Sequence, residues 1–163
     1  MSDEFDLIAA VRHQARSNDS VIVGIGDDAA VLRVDAGEIV VATDMLMEGV
    51  HFVVDEVTPE LIGRKALAVN LSDIAAMAGT PTSAFVSVAL PRKYGQEFAE
   101  CCLRGVQQLA DEYNVAIAGG DTNIWDGPLV INVVVMGTAC PIGGALRSGA
   151  KVGDVIFVSG ALG

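Results

Sequence analysis

The chain has 163 residues, of which 52% are hydrophobic and 19% charged, with 21 acidic against 10 basic side chains and a formal charge of −11. That balance excludes a disordered chain and offers no basic stripe to a nucleic-acid backbone. It describes one soluble globular domain, in which any anionic ligand needs a cation as intermediary.

Ser2 is placed to cap a first helix, with Asp3 and Glu4 in its first turn and Phe5, Ile8, Val11 and Ala15 on one face. The same segment has neither the basic n-region nor the apolar h-region of a signal peptide, which predicts a cytoplasmic protein. Residues 21–25 form an apolar run entering Gly24-Ile25-Gly26-Asp27-Asp28, and residues 31–34 and 39–43 read as a hairpin about Asp35-Ala36-Gly37. Thr58-Pro59-Glu60-Leu61 supplies a cap and a proline at the first helical position, opening a helix to about Met77 that Gly79-Thr80-Pro81 stops. A strand over 84–90 follows, then a helix traced by Phe98, Cys102, Val106, Leu109 and Tyr113, then a strand over 115–118 running into Gly119-Gly120-Asp121-Thr122. Strands over 129–138 and 155–158 complete the set. The uncharged stretch 127–146 is long enough to span a bilayer, but Pro128, Gly137 and Pro141 interrupt it, so it reads as buried strand and turn and predicts no membrane segment. Cys101, Cys102 and Cys140 lack a C-x-x-C spacing and are odd in number, which fits core thiols better than a disulfide framework or a zinc site. The order of elements predicts an α+β fold, a mixed β-sheet with helices packed on one face.

Chemistry concentrates in aspartates. Asp27, Asp28, Asp44 and Asp121 follow apolar or glycine-rich runs where strands are expected to end, which would gather them at one sheet edge. Asp73 differs, because it interrupts the apolar helical run 66–76 and is costly to bury without a compensating cation or hydrogen bonds. Carboxylates of this kind suit Mg²⁺, which takes oxygen ligands together with substrate phosphates. Any one of them read alone is a helix cap or turn residue, and Asp27 stands evenly between that role and a metal contact beside Asp28. Gly119-Gly120-Asp121 is equally an ordinary turn or a close-approach loop for a phosphate. His51 is a candidate contact to a substrate phosphate or ring, against a structural hydrogen bond. Arg147 is a candidate phosphate clamp, against a solvated loop charge. No G-x-x-x-x-G-K-[ST] occurs, Gly24-Ile25-Gly26 lacks the third glycine of a dinucleotide fingerprint, and no nucleophile–histidine order supports covalent catalysis.

Taken together, Gly24-Ile25-Gly26-Asp27-Asp28-Ala29-Ala30, Ala42-Thr43-Asp44, Glu48-Gly49-Val50-His51-Phe52, the run 65–73 ending Asn70-Leu71-Ser72-Asp73, Gly119-Gly120-Asp121-Thr122 and Arg147-Ser148-Gly149-Ala150 resemble the thiamine-monophosphate kinases. These belong to the superfamily that includes aminoimidazole ribonucleotide synthetase and selenophosphate synthetase. The resemblance implies Mg²⁺ ligation by Asp28, Thr43, Asp44, Asp73 and Asp121, with Asp27 as a further candidate, ATP contacts from Gly120, Asp121 and Arg147, and a substrate contact from His51. Ala42 stands where the family often has Ser or Thr, and offers only its backbone carbonyl. The implied function is transfer of the γ-phosphoryl of ATP to thiamine monophosphate, giving thiamine diphosphate. Alternatives are another ATP-dependent member with a different acceptor, or a non-catalytic binding or assembly module. The resemblance further implies that residues 1–150 form an N-terminal ATP/Mg-binding and dimerisation domain and that 151–163 begin a truncated C-terminal domain, so that this fragment alone is expected to be inactive. A homodimer through the sheet is expected because Val130, Ile131, Val133 and Val135 alternate too weakly for a strand with one solvated face.

Overall fold

β-Branched runs pair and the two long helical stretches coil in the computed structural model, which describes residues 21–23, 27–35, 37–141, 144–158 and 160. The expected helix after Ser2, the glycines at 24 and 26 and the turn residue Ala36 lie outside the described residues. The elements are β1 (Val21–Val23), β2 (Ala30–Val34), β3 (Gly37–Met47), α1 (Pro59–Ala76), β4 (Thr80–Pro91), α2 (Gly95–Glu112), β5 (Ala116–Trp125) and β6 (Val130–Thr138), with 3₁₀ turns at Val54–Glu56 and Arg147–Gly149. They build a six-stranded sheet in the order β1-β2-β3-β6-β4-β5. Among the described strands only β4 and β5 are parallel neighbours; the other pairs are antiparallel. The sheet is therefore mixed, as expected, with β6 inserted between two strands that precede it in the chain.

Both helices cover one face. Val40 and Ala42 of β3, Ala84 and Val86 of β4 and Val133 and Val135 of β6 are buried there against Ile62, Leu67 and Ile74 of α1 and Val106 and Leu109 of α2. The other face carries Ile39, Val41, Met45, Val134 and Phe85, and among the described residues nothing covers it: Met45 is 53% exposed and Phe85 39%.

Local chemistry explains the helix ends. Thr58 accepts the Leu61 N–H through its side chain at 3.4 Å, and Pro59 follows at the first position, where a missing N–H costs nothing. Both helices close in Schellman turns: Gly79 N–H reaches Ile74 O and Val115 N–H reaches Ala110 O, with Ala78 and Asn114 in the left-handed region between. The helices meet through glycine. A Cβ on Gly63 would lie 1.9 Å from Cys102 O, and one on Gly105 would lie 1.9 Å from Glu60 O, so each backbone occupies the space the other's side chain would need.

Three expectations change. β3 continues to Met47 and β5 to Trp125, so Asp44 and Asp121 lie within strands and not at their ends. Residues 155–158 have no strand partner among the described residues, and Ile156 and Phe157 are 93% and 87% exposed.

Candidate functional site

The helix-covered face gathers three of the aspartates. Asp44 pairs with Val133, whose side chain is buried under the helices, and so shares their face. Asp73 sits on α1 above it, and Asp28 precedes β2, the strand beside β3. Arg147, from the 3₁₀ turn, clasps both Asp28 oxygens, Nε donating to Oδ2 at 3.2 Å and Nη2 to Oδ1, while its N–H donates to Asp27 Oδ1 at 2.8 Å. This guanidinium outweighs burial and holds the Asp28 carboxyl below the usual carboxylate range. Asp73 moves the other way: burial, then the charges of Asp44 and Asp28, push it up, against an opposing pull from Arg147. The four groups thus share one field. The sequence predicts that these carboxylates converge, but among the described residues no group of three or more is arranged to hold a metal ion, and Arg147 occupies Asp28.

Other residues named from the sequence fall elsewhere. Thr43 points to the uncovered face, where its hydroxyl donates to Asn132 Oδ1 at 3.3 Å, so only its backbone borders the carboxylates. Asp121 is also on the uncovered face, three strands from Asp44, and accepts from Asn123 Nδ2 at 2.7 Å. Its neighbour Gly120 is needed for a reason inside the sheet, since a Cβ there would lie 1.8 Å from Val86 O. The close approach that this glycine permits is to β4.

His51 lies beyond the end of β3 in a turn made by Gly49 at φ +81°. With Val53, Glu56, Val57, Leu61 and Lys65 it lines a cavity of about 420 Å³ that mixes aliphatic and charged side chains. Lys65 and Asp73 are eight residues apart on α1, about 12 Å at 1.5 Å per residue, so one helix links the cavity to the carboxylates. A larger cleft of about 600 Å³ lies beside Glu48, Arg92, Lys93 and Trp125, but its charges pair among themselves and none of Asp28, Asp44 or Asp73 lines it.

Sequence reasoning assigned no role to Lys65, Glu48 or Asn70. Glu48 accepts from Tyr94 OH at 2.6 Å, Leu129 N–H at 2.8 Å and Lys93 Nζ at 3.2 Å, joining the ends of three elements. Asn70 is fully buried one turn before Asp73, donating to Ala66 O while its Oδ1 has no partner. A polar residue in an apolar helical run was the available signal for it.

The AIR synthase related protein N-terminal domain family matches residues 26–139. Among relatives, the chain is 44% identical over 169 residues to the thiamine-monophosphate kinase of Rhodopirellula baltica, covering 98% of this chain and 52% of that protein. It is 43% identical over 162 residues to the thiamine-monophosphate kinase of Bacillus subtilis, covering 99% and 50%. A solved structure, AaThiL complexed with AMPPCP and TMP, superposes with a TM-score of 0.73 at 32% identity, over 82% of this chain and 41% of that one. The chain spans about half the length of the curated relatives it matches.

Proposed function

Because the chain belongs to the AIR synthase related protein family through its N-terminal domain, we propose that it forms the nucleotide- and metal-binding part of a kinase that transfers the γ-phosphoryl group of ATP to thiamine monophosphate. The observation that carries this is the shared field of Asp28, Asp44, Asp73 and Arg147. Three carboxylates on one face suit a hard divalent cation, and the unpartnered Asn70 oxygen one turn from Asp73 suits an ordered water beside it. Asp28, Asp44 and Asp73 would hold Mg²⁺, with Thr43 contributing its carbonyl and Asp27 a further oxygen; Gly120, Asp121 and Arg147 remain the candidates for ATP. When bound, Mg²⁺ neutralises phosphate charge and orients the transferring group.

The residues' own work follows from their pairing. In the absence of ligand, Arg147 neutralises Asp28 and so limits the repulsion in the cluster. With nucleotide bound, Arg147 would exchange that carboxylate for a phosphate, and Asp28 would then be free to hold the cation, each charge keeping a partner of opposite sign. The acceptor phosphate is already anionic, so no base is required, and positioning dominates the rate. His51 and the aliphatic side chains of its cavity bind the acceptor.

The uncovered face of β3, β6 and β4 is the proposed homodimer surface, supported by its apolar side chains and by the absence of any covering element among the described residues. Asp121 shares that face, which ties its contribution to association. Residues 1–150 would carry the nucleotide, metal and dimer functions and 151–163 begin a second domain, consistent with the exposure of Ile156 and Phe157. An ATP-dependent reaction of this kind belongs in the cytoplasm; among the described residues no helix is long and apolar enough to cross a membrane.

Calorimetric titration of AMPPCP with Mg²⁺, followed by thiamine monophosphate, tests the reading. Asp44→Asn keeps the shape and removes the charge, and is expected to weaken Mg²⁺-dependent nucleotide binding at least about tenfold. Unaltered binding in that variant overturns the assignment.

A further inference from the structure

His51 is held from two sides. β2 accompanies β3 only as far as Val41, so the last residues of β3 have no strand neighbour on that edge among the described residues. Backbone groups there need other partners. Met47 N–H finds one in His51, donating to Nδ1 at 3.0 Å, while Met47 O accepts the His51 N–H at 2.9 Å and closes the turn. From the other side, the Lys65 ammonium on α1 donates to His51 O. A ring nitrogen that accepts from a backbone N–H carries no proton, so the neutral imidazole holds its proton on Nε2. That leaves Nε2–H as the donor offered to the occupant of the cavity His51 lines.

We propose that Lys65 is the positioning residue for His51, and that Lys65 and Met47 N–H together fix the ring as an Nε2–H donor to an anionic oxygen of the acceptor. This rests on the reading of the cavity as the acceptor's site. Under it, His51 orients the acceptor and takes no proton from it, because the nitrogen able to accept a proton is already engaged. Lys65 and His51 line the cavity together with the carboxylate of Glu56, and Val53, Val57 and Leu61 supply aliphatic side chains for a ring. The substrate class is a small heterocycle bearing a phosphate ester. Placing Lys65 on a capped helix ties the turn to a rigid element, as orientation of a reacting group requires.

Long-range ¹H–¹⁵N correlation of the histidine rings in the full chain tests this directly. The chain has two histidines, and His51→Gln identifies the signal of interest. The expected result is an Nε2–H ring in the free protein, with its Nε2 signal moving most on titration with thiamine monophosphate. Lys65→Met, which keeps the stem and removes the ammonium, is expected to mix the two tautomers and weaken thiamine monophosphate binding at least about tenfold; Lys65→Arg, which restores a donor, is expected to recover the single tautomer. An Nδ1–H ring, or a tautomer indifferent to Lys65→Met in a variant that keeps its circular dichroism, overturns the proposal. A Lys65-dependent Nε2–H ring that ignores thiamine monophosphate overturns the acceptor contact and the assignment of this cavity, while upholding the positioning role.

Discussion

At Arg147 the proposed exchange of Asp28 for a phosphate gives one side chain two partners in turn, and its removal should move two binding constants in opposite directions. Arg147→Met frees Asp28 from its ion pair, so Mg²⁺ alone should bind the variant more tightly than the parent. Mg²⁺-dependent AMPPCP binding should weaken by roughly tenfold or more, since the proposed charged contact to phosphate would be lost. Titration calorimetry with and without nucleotide reads both signs, and a fall in both affinities would contradict the exchange. Glu48 gives a pH prediction. Burial pushes its carboxyl up, but the donors from Leu129 N–H, Tyr94 OH and Lys93 outweigh that and hold it below its ordinary value of 4.5. A depressed folded-state value means that the stabilisation is fully present above pH 4.5 and is lost as the pH falls below it. Glu48→Gln should therefore cost about 1–2 kcal/mol at neutral pH, Glu48 being partly solvent-exposed, and the difference from the parent should shrink in acid. Denaturant melts at pH 7 and below pH 4 measure it.

The crossing of α1 and α2 depends on two glycines, and Gly63→Ala should destabilise by roughly 1–3 kcal/mol despite alanine's better helix propensity, because the added methyl meets the Cys102 carbonyl. Chemical denaturation of that variant, with a surface control such as Ala75→Gly on the exposed side of α1, separates packing from propensity. Much of the element level was legible in the sequence. Thr58-Pro59 gave the start of α1, the spacing of Phe98, Cys102, Val106 and Leu109 gave the buried face of α2, and charge within apolar surroundings singled out Asp44 and Asp73. The limits of β5 were not legible, because Gly119, Gly120, Asp121 and Asn123 are poor strand formers that pairing with β4 carries into the sheet. The face on which Asp121 lies was also hidden. Ala84 pairs with Ile117 but Phe85 pairs with Gly119, so Ala118 is an extra residue that reverses the alternation and turns Asp121 away from the helices. A single bulge thus separates Asp121 from Asp28 and Asp44, which share its sequence signature, and from Asp73 on α1. The cavity at His51 was hidden for a different reason: it is assembled from a turn and the first two turns of α1, and no local pattern records their contact.

The molecule as a whole presents one apolar sheet face and a net charge of −11, which act against each other in association. Phe85 is 39% exposed, so burying the remainder in a dimer would contribute about 0.6–1.2 kcal/mol per copy. Phe85→Glu also places a charge in the seam, and should raise the dissociation constant by at least about tenfold without unfolding the protomer. Added salt should strengthen the parent dimer by screening two like-charged bodies. Sedimentation equilibrium over a concentration and salt series reads both effects, and a parent that stays monomeric at high micromolar concentration would refute the surface. The position of β6 has a consequence for how the chain reaches this state. It pairs with β3 on one edge and β4 on the other, yet it is made after both. Until Val130–Thr138 has left the ribosome, the β2–β3 hairpin and the β4–α2–β5 unit share no strand pairing among the described residues, and each exposes a raw strand edge. Sheet closure is therefore a late, long-range event, and the nascent chain should need shielding from other copies of itself during synthesis until this final strand arrives.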